Sequence, residues 1–102
     1  MLNYDKEIKK YSDLFRASYE KANIWPISAD ASTGKEILEE EYLEVCDDTE
    51  RISEWFDSHF KQKYSRYDVE TLKALVVCNI TENLQMLAVC NKYEDIFDSE
   101  NI

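Results

Sequence analysis

The sequence predicts an all-α protein: a bundle of about four helices that forms one acidic domain over residues 1–102. The chain contains one Gly and one Pro, which favours long elements joined by few tight turns. Apolar residues recur at steps of three and four along most of the chain, which is the spacing of one helix face. A length of 102 residues with a hydrophobic fraction of 44% is sufficient for a core.

The first helix is predicted over residues 4–22. Its apolar stripe follows helical spacing: Ile8, Tyr11, Phe15, Tyr19 and Ala22. An irregular link follows at 23–32, because Pro26 disfavours helix before it and lacks a backbone donor. We expect three apolar residues of this link to turn into the core: Ile24, Trp25 and Ile27. Trp25 is alternatively an exposed anchor for a partner, since Trp is enriched at binding hot spots.

The middle of the chain predicts two further helices. A capping-box spacing at residues 33–36 starts the second helix, which runs to about Cys46. The polar residues 47–49 then interrupt it and cap a third helix over 50–63. The alternative is one long bent helix, because the apolar stripe continues through the interruption.

The last region, residues 69–97, predicts a buried helix because it is apolar nearly all round. Its start is marked either by the spacing from Ser65 to Asp68 or by Asp68 itself. The alternative is a β-hairpin over 74–90, which would make the fold α+β, since β-branched residues cluster there. Good helix formers favour the helix. Eight residues of the apolar stripes are expected to be buried: Leu38, Tyr42, Val45, Ile52, Phe56, Leu72, Val76 and Ile80.

The net charge of −10 is concentrated in the middle of the chain, where ten carboxylates between Glu36 and Asp57 accompany one base, Arg51. Helical geometry sends most of these acids away from the apolar stripe, so we expect an anionic face. Like charges at i, i+4 destabilise a helix, and such a face suits a positive partner. The alternative is that the charge serves solubility alone. The candidate partner-binding residues are Glu40, Glu41, Leu43, Glu44, Asp47, Asp48, Glu50 and Glu54.

Few residues suit catalysis, so we expect no enzyme, cofactor or metal site. The single histidine, His59, lies on an apolar stripe and is predicted to be a core or boundary residue. One Gly excludes a Gly-rich phosphate loop. Paired carboxylates such as Glu40 and Glu44 are expected to face outwards and not to bind a metal inside a bundle.

The cysteines and the termini predict a cytoplasmic protein. Cys46, Cys78 and Cys90 are an odd number within apolar patterns, so we expect reduced core thiols. Their spacing does not match a metal site. The N-terminal segment lacks an apolar leader, and no apolar run approaches the ~18 residues of a membrane-spanning helix.

In size, acidity and helical content the chain resembles the immunity proteins of colicin-like and contact-dependent growth inhibition systems. The resemblance implies an inhibitor whose acidic helical face blocks a basic, nuclease-like toxin. We expect the protein itself to be a monomer or a weak dimer. One alternative is a phage-encoded DNA mimic that inhibits restriction or CRISPR enzymes, with carboxylates in place of phosphates. Another is a helical adaptor or regulatory subunit that binds its partner in an apolar groove; a long exposed apolar patch would favour it. The acidity disfavours direct contact with nucleic acid or an anionic membrane.

Overall fold

The computed structural model describes residues 4–25, 31–59 and 63–100, and in these ranges all regular structure is α-helix. Helix α1 spans Tyr4–Asn23, α2 spans Ala31–His59 and α3 spans Arg66–Glu100. The all-α prediction is confirmed, with three helices in the described ranges in place of about four.

Helix α3 is the centre of the fold. Both α1 and α2 pack against it, and within the described residues α1 and α2 do not contact each other. Lys73 pairs with Glu7 and Asn91 donates a hydrogen bond to the Tyr19 hydroxyl, so α1 runs parallel to α3. The result is an open, elongated arrangement of 58 × 29 × 20 Å.

Helix α2 runs antiparallel to α3. Near the end of α2 the Trp55 indole N–H donates to the carbonyl of Asp68, at 2.9 Å. Near its start Gly34 lies against the ring of Tyr93, at the other end of α3. Between them Asn79 donates to the Thr49 hydroxyl at 3.1 Å. The contact with α3 therefore extends along nearly the whole of α2.

The prediction of two helices in the middle of the chain is wrong, because α2 is continuous through residues 47–49. The Thr49 hydroxyl donates to the carbonyl of Val45, and the Arg51 guanidinium donates to Asp48, both at 3.0 Å. These local bonds satisfy the polar side chains without ending the helix. The capping box predicted at 33–36 is also wrong, since α2 begins earlier, at Ala31.

Of the two predicted starts of α3, the one at Ser65 is confirmed, because α3 begins at Arg66. The backbone N–H of Ser65 donates to Asp68 Oδ2 at 2.8 Å, and the N–H of Asp68 donates to Ser65 Oγ at 3.3 Å. This reciprocal pair is a capping box. The hairpin alternative for residues 74–90 is excluded, because α3 is helical throughout that range.

The core is small, and the predicted core is confirmed only in part. Among the described residues the buried apolar side chains are Ala22, Ala88, Val89 and Tyr93. Half of the predicted set is half-buried: Leu38, Val45, Ile52 and Leu72. The other half is exposed by 38–56%, so those predictions are wrong: Tyr42, Phe56, Val76 and Ile80. On α2 the reason is that the face in contact with α3 is rotated relative to the predicted apolar stripe. That face consists of Gly34, Leu38, Glu41, Val45, Asp48, Ile52, Trp55 and His59.

The link after α1 differs from the prediction at Ile24, which is 81% exposed because the chain leaves the helix there. Trp25 is half-buried, and its carbonyl accepts a hydrogen bond from the Lys92 ammonium. Lys92 also donates to the carbonyl of Ala22 and so caps the end of α1. Pro26 and Ile27 lie outside the described residues.

Helix α3 is long and apolar enough, by length and composition, to cross a membrane, which the sequence reasoning did not anticipate. Only 11% of its most apolar window is buried. Glu82 lies within that window, and a carboxylate in a bilayer centre is costly. The polar helices α1 and α2 flank the same stretch, which fits a helix that packs against protein.

Candidate functional site

Six of the eight candidate partner-binding residues are exposed on α2: Glu40, Leu43, Glu44, Asp47, Glu50 and Glu54. We call this set the acidic face. Leu43 is 59% exposed although it is apolar. Its position 120–180° from the contact residues of α2, at 100° per residue, explains the exposure. The structure thus places an isolated leucine among carboxylates, in contact with solvent.

Glu41 and Asp48 do not belong to the acidic face, and their predicted outward orientation is wrong. They are 7% and 6% exposed, respectively. Both lie on the face of α2 that contacts α3, and they are seven residues apart in the sequence. Asp48 is paired there with Arg51 at 3.0 Å. Glu41 has a side-chain oxygen, Oε2, that is buried without a hydrogen-bond donor in the described structure.

A carboxylate cluster forms where α2 meets the middle of α3. Glu41, Glu44 and Glu82 each contribute an oxygen, and these oxygens lie within 4.8 Å of one another. Glu82 was missed by the sequence reasoning, because it lies in an apolar helix rather than in the acidic stretch. The sequence does contain one indication of the site: Glu82 is a single acid inside an apolar helix, and such an acid needs a polar neighbour.

Burial and the neighbouring carboxylates raise the pKa values of two residues of the cluster, Glu82 and Glu41. Burial raises the pKa of Glu82 to about 7, and a hydrogen bond with Glu44 and the charges of Asp48 and Glu41 act in the same direction. Burial also raises the pKa of Glu41, with further contributions from its neighbours Glu44 and Glu40. Like charges held this close favour a neutral carboxyl group. As the pH falls below about 7, protonation of Glu82 relieves part of the repulsion.

An oxygen-only set of this kind is also the ligand chemistry of a hard divalent cation. Glu40 and Glu44 are exposed, as expected, but Glu44 nevertheless joins the buried Glu41 in the carboxylate cluster. Protonation of Glu82, which its raised pKa favours, would lower the charge of the cluster without an ion. The cluster is also partly open, since Glu44 is exposed.

His59 is a boundary residue, as predicted. Its ring stacks on Trp55 with centroids 4.3 Å apart, and its Nδ1 lies 2.7 Å from the carbonyl of Trp55. Its Nε2 lies 3.5 Å from Asp68 Oδ1. Trp55 and His59 border an open cavity of about 420 Å³ with an apolar lining that includes Phe56 and Val69. The imidazole is therefore held by structural contacts at the end of α2.

The three cysteines are free thiols, as predicted. Cys46 and Cys90 are half-buried, whereas Cys78 is exposed, so the prediction of a core position is wrong for Cys78. It lies on a side of α3 that neither α1 nor α2 covers, because those helices pack on two opposite sides.

A second surface was not predicted as exposed. Four apolar residues of α3 form a row that the neighbouring helices leave 38–50% exposed: Val69, Val76, Ile80 and Leu87, which we call the α3 stripe. Val76 and Ile80 line a cavity of about 190 Å³ together with Ile8 of α1. Val69 lines the larger cavity with Phe56 of α2. The stripe thus continues onto both flanking helices.

Known proteins add no further constraint. No protein-family model, curated protein or solved structure matches this chain. The function is therefore inferred from the residues and their geometry alone.

Proposed function

We propose that this protein is a cytoplasmic inhibitor that binds a basic protein through the acidic face, as an immunity protein blocks a nuclease-like toxin. The observation that carries the proposal is the exposed Leu43 within a rim of exposed carboxylates. An apolar contact surrounded by charged residues is a common anatomy of protein interfaces.

Electrostatics supports a cationic partner. The chain carries a net charge of −10, and Arg51, a base within the same stretch of α2, is engaged with Asp48. The acidic face therefore presents charge that the helix does not neutralise locally. Such a surface raises the association rate with a positively charged partner through long-range attraction.

A DNA mimic would also bind a basic protein. The exposed acids run from Glu40 to Glu54, a length of about 21 Å at 1.5 Å per residue. A patch of this length is better suited to blocking one cationic site than to mimicking an extended DNA duplex, in which phosphates continue at regular spacing. The two proposals differ in the partner, which is a toxin in one case and a restriction or CRISPR enzyme in the other.

The test compares two variants with the same change of net charge. Asp47→Lys with Glu50→Lys reverses the acidic face and avoids the carboxylate cluster. Asp5→Lys with Asp13→Lys is the matched control, because both residues are exposed on α1. Tagged wild-type protein and both variants are used as baits in the organism that encodes the chain, and bound proteins are quantified by mass spectrometry.

We expect a basic protein that copurifies with the wild type and the α1 control and is depleted with the acidic-face variant. With that protein purified, the acidic-face variant should associate about ten-fold more slowly at low salt, and the difference should shrink as salt screens the charges. Equal association rates at low salt would contradict the proposal.

A helical adaptor is the second candidate, and the exposed α3 stripe is the observation that favours it. Its partner would present an amphipathic helix to the stripe. Charged substitutions in the stripe would then release the partner, whereas reversal of the acidic face would not.

A further inference from the structure

We infer that the α3 stripe is the interface of a homodimer, in which the α3 helices of two copies pack antiparallel against each other. The stripe is exposed by 38–50% along its length. At 100° per residue its four members fall within a sector about 40° wide, so they form one straight row. The row is about 27 Å long from Val69 to Leu87. This inference goes beyond the proposed function and does not depend on it.

The exposed area of the chain exceeds that of a compact monomer of the same mass. The accessible surface is 7997 Å², whereas a compact monomer of 12.1 kDa exposes about 6,000 Å². The excess of about 2,000 Å² per chain matches the share that each partner buries in obligate dimers, whose interfaces total roughly 2,000–5,000 Å². The radius of gyration agrees: it is 17.2 Å, against about 13 Å for a compact domain of this length.

The spacing of the stripe suits a second copy better than an unrelated helix. Its members are separated by seven, four and seven residues, so the row is symmetric about position 78. When two such helices pack antiparallel about a two-fold axis there, Val69 of one chain meets Leu87 of the other. Val76 likewise meets Ile80, and the interface is self-complementary, as a two-fold dimer requires.

The two flanking cavities extend the interface. The smaller one adjoins the centre of the row and brings Ile8 of α1 beside Val76 and Ile80. The larger one adjoins the end of the row at Val69 and includes Phe56, which is 56% exposed. A second copy centred on position 78 covers the first recess and reaches the second with its Leu87. Side chains from all three helices thereby become buried.

The carboxylate cluster lies away from the proposed interface, so the acidity of the chain does not prevent dimerisation. Glu82 points about 140° away from the stripe around α3, and the carboxylate cluster that it forms with α2 lies on that side. The dense negative charge therefore stays away from the interface. Residual repulsion between two chains of charge −10 is long-range, so added salt should strengthen the dimer. Attraction between an acidic and a basic surface would show the opposite salt dependence.

The experiment measures the mass of the full chain in solution by sedimentation velocity, from 1 to 100 µM and at two salt concentrations. We expect the mass of two chains for the wild type, with a dissociation constant that falls as salt increases. Val76→Glu with Ile80→Glu should weaken the dimer at least 100-fold. The matched control is Ala74→Glu with Cys78→Glu, because both residues are exposed, share the same spacing and lie on the opposite side of α3. The control should remain dimeric.

A second measurement reports the register and does not require a charged variant to fold. A benzophenone amino acid at position 87 of the otherwise native chain is photo-activated, and the cross-linked peptides are sequenced. The antiparallel dimer predicts capture of the peptide containing Val69. Within one chain these two positions are about 27 Å apart along α3, so this product identifies contact between chains. Capture centred on Leu87 would indicate parallel packing and overturn the arrangement.

Three further results would overturn the inference. A wild-type chain that is monomeric at 100 µM in both salt conditions would show that the stripe does not bind a second copy. A dimer that survives the Val76 and Ile80 substitutions would place the interface elsewhere. A monomer that sediments with phosphatidylcholine vesicles, or binds an amphipathic helix of another protein at the stripe, would assign the stripe to that ligand.

Discussion

The ring of Tyr93 lies directly against the backbone of α2 at Gly34, so that a β-carbon at position 34 would overlap the ring carbons. Both residues are buried, and Tyr93 is 3% exposed. The single glycine of the chain is therefore required for close approach between helices rather than for a turn, since its φ is not positive.

Gly34→Ala should destabilise the protein, although Ala is the better helix former. Overpacking at a close contact costs about 1–3 kcal/mol and outweighs the helix-propensity gain of about 1 kcal/mol. Urea unfolding measures the change. In a Tyr93→Leu background the ring carbons that cause the overlap are absent, so Gly34→Ala should cost less there or stabilise. The same cost in both backgrounds would contradict the contact.

Glu82→Gln should stabilise the protein at neutral pH, because it removes a charge from the carboxylate cluster and leaves an amide to donate to Glu44. We expect a rise in melting temperature of about 5 °C at pH 7.5, corresponding to ~1 kcal/mol in a domain of this length. The exposed Glu94→Gln, on the same helix, is the control and should have little effect.

The pH dependence of the wild type follows from the same group. The pKa of Glu82 is raised from 4.5 to about 7 in the folded chain, so the folded state binds the proton more tightly than the unfolded state. Its contribution to stability is complete below pH 4.5 and is lost as the pH rises through 7. The advantage of Glu82→Gln over the wild type should therefore appear between these values. An advantage that is constant from pH 4 to 8 would contradict the assignment.

Lys92→Met should destabilise the end of α1. The Lys92 ammonium donates to the carbonyls of Ala22 and Trp25, and burial lowers its pKa. Loss of hydrogen bonds from a charged donor costs about 1.5–3 kcal/mol. Chemical denaturation measures the loss, and the exposed Lys35→Met provides the control. Equal stability of the two variants would show that the cap is dispensable.

Ser65→Ala should weaken the start of α3, because it removes the hydroxyl that accepts from the Asp68 N–H. The expected cost is about 0.5–2 kcal/mol, as for other N-cap substitutions. Ser58→Ala in α2 is exposed and should be neutral or slightly stabilising, since Ala favours the helix interior. Amide exchange should quicken in the first turn of α3 for the Ser65 variant alone.

Helical structure was predictable from local patterns, apart from the break expected at residues 47–49. The side on which each helix packs was not predictable. The spacing at Ser65 and Asp68 correctly marked the start of α3, because a capping box is a local interaction. On α2 the apolar pattern alone indicated a stripe through Tyr42 and Phe56, whereas the contact with α3 follows Glu41 and Asp48. Apolar side chains outline a contact face only when burial is extensive, and here much apolar surface stays exposed.

The carboxylate cluster could be predicted only in part for a related reason. The density of acids on α2 was evident, but the neighbour that completes the cluster, Glu82, comes from a different helix 38 residues beyond Glu44. Its position depends on the antiparallel register of α2 and α3. That register is fixed by tertiary contacts such as Trp55 with Asp68, which no local pattern contains.

The separation of α1 from α2 has a consequence for how the chain unfolds. Because each helix contacts α3 alone in the described structure, detachment of α1 breaks no contact made by α2, and the reverse also holds. Sub-global opening can therefore proceed from either side of α3 without disturbing the other. Cooperativity between the two outer helices is transmitted only through α3, so loosening its middle uncouples two units that the linear sequence places next to each other.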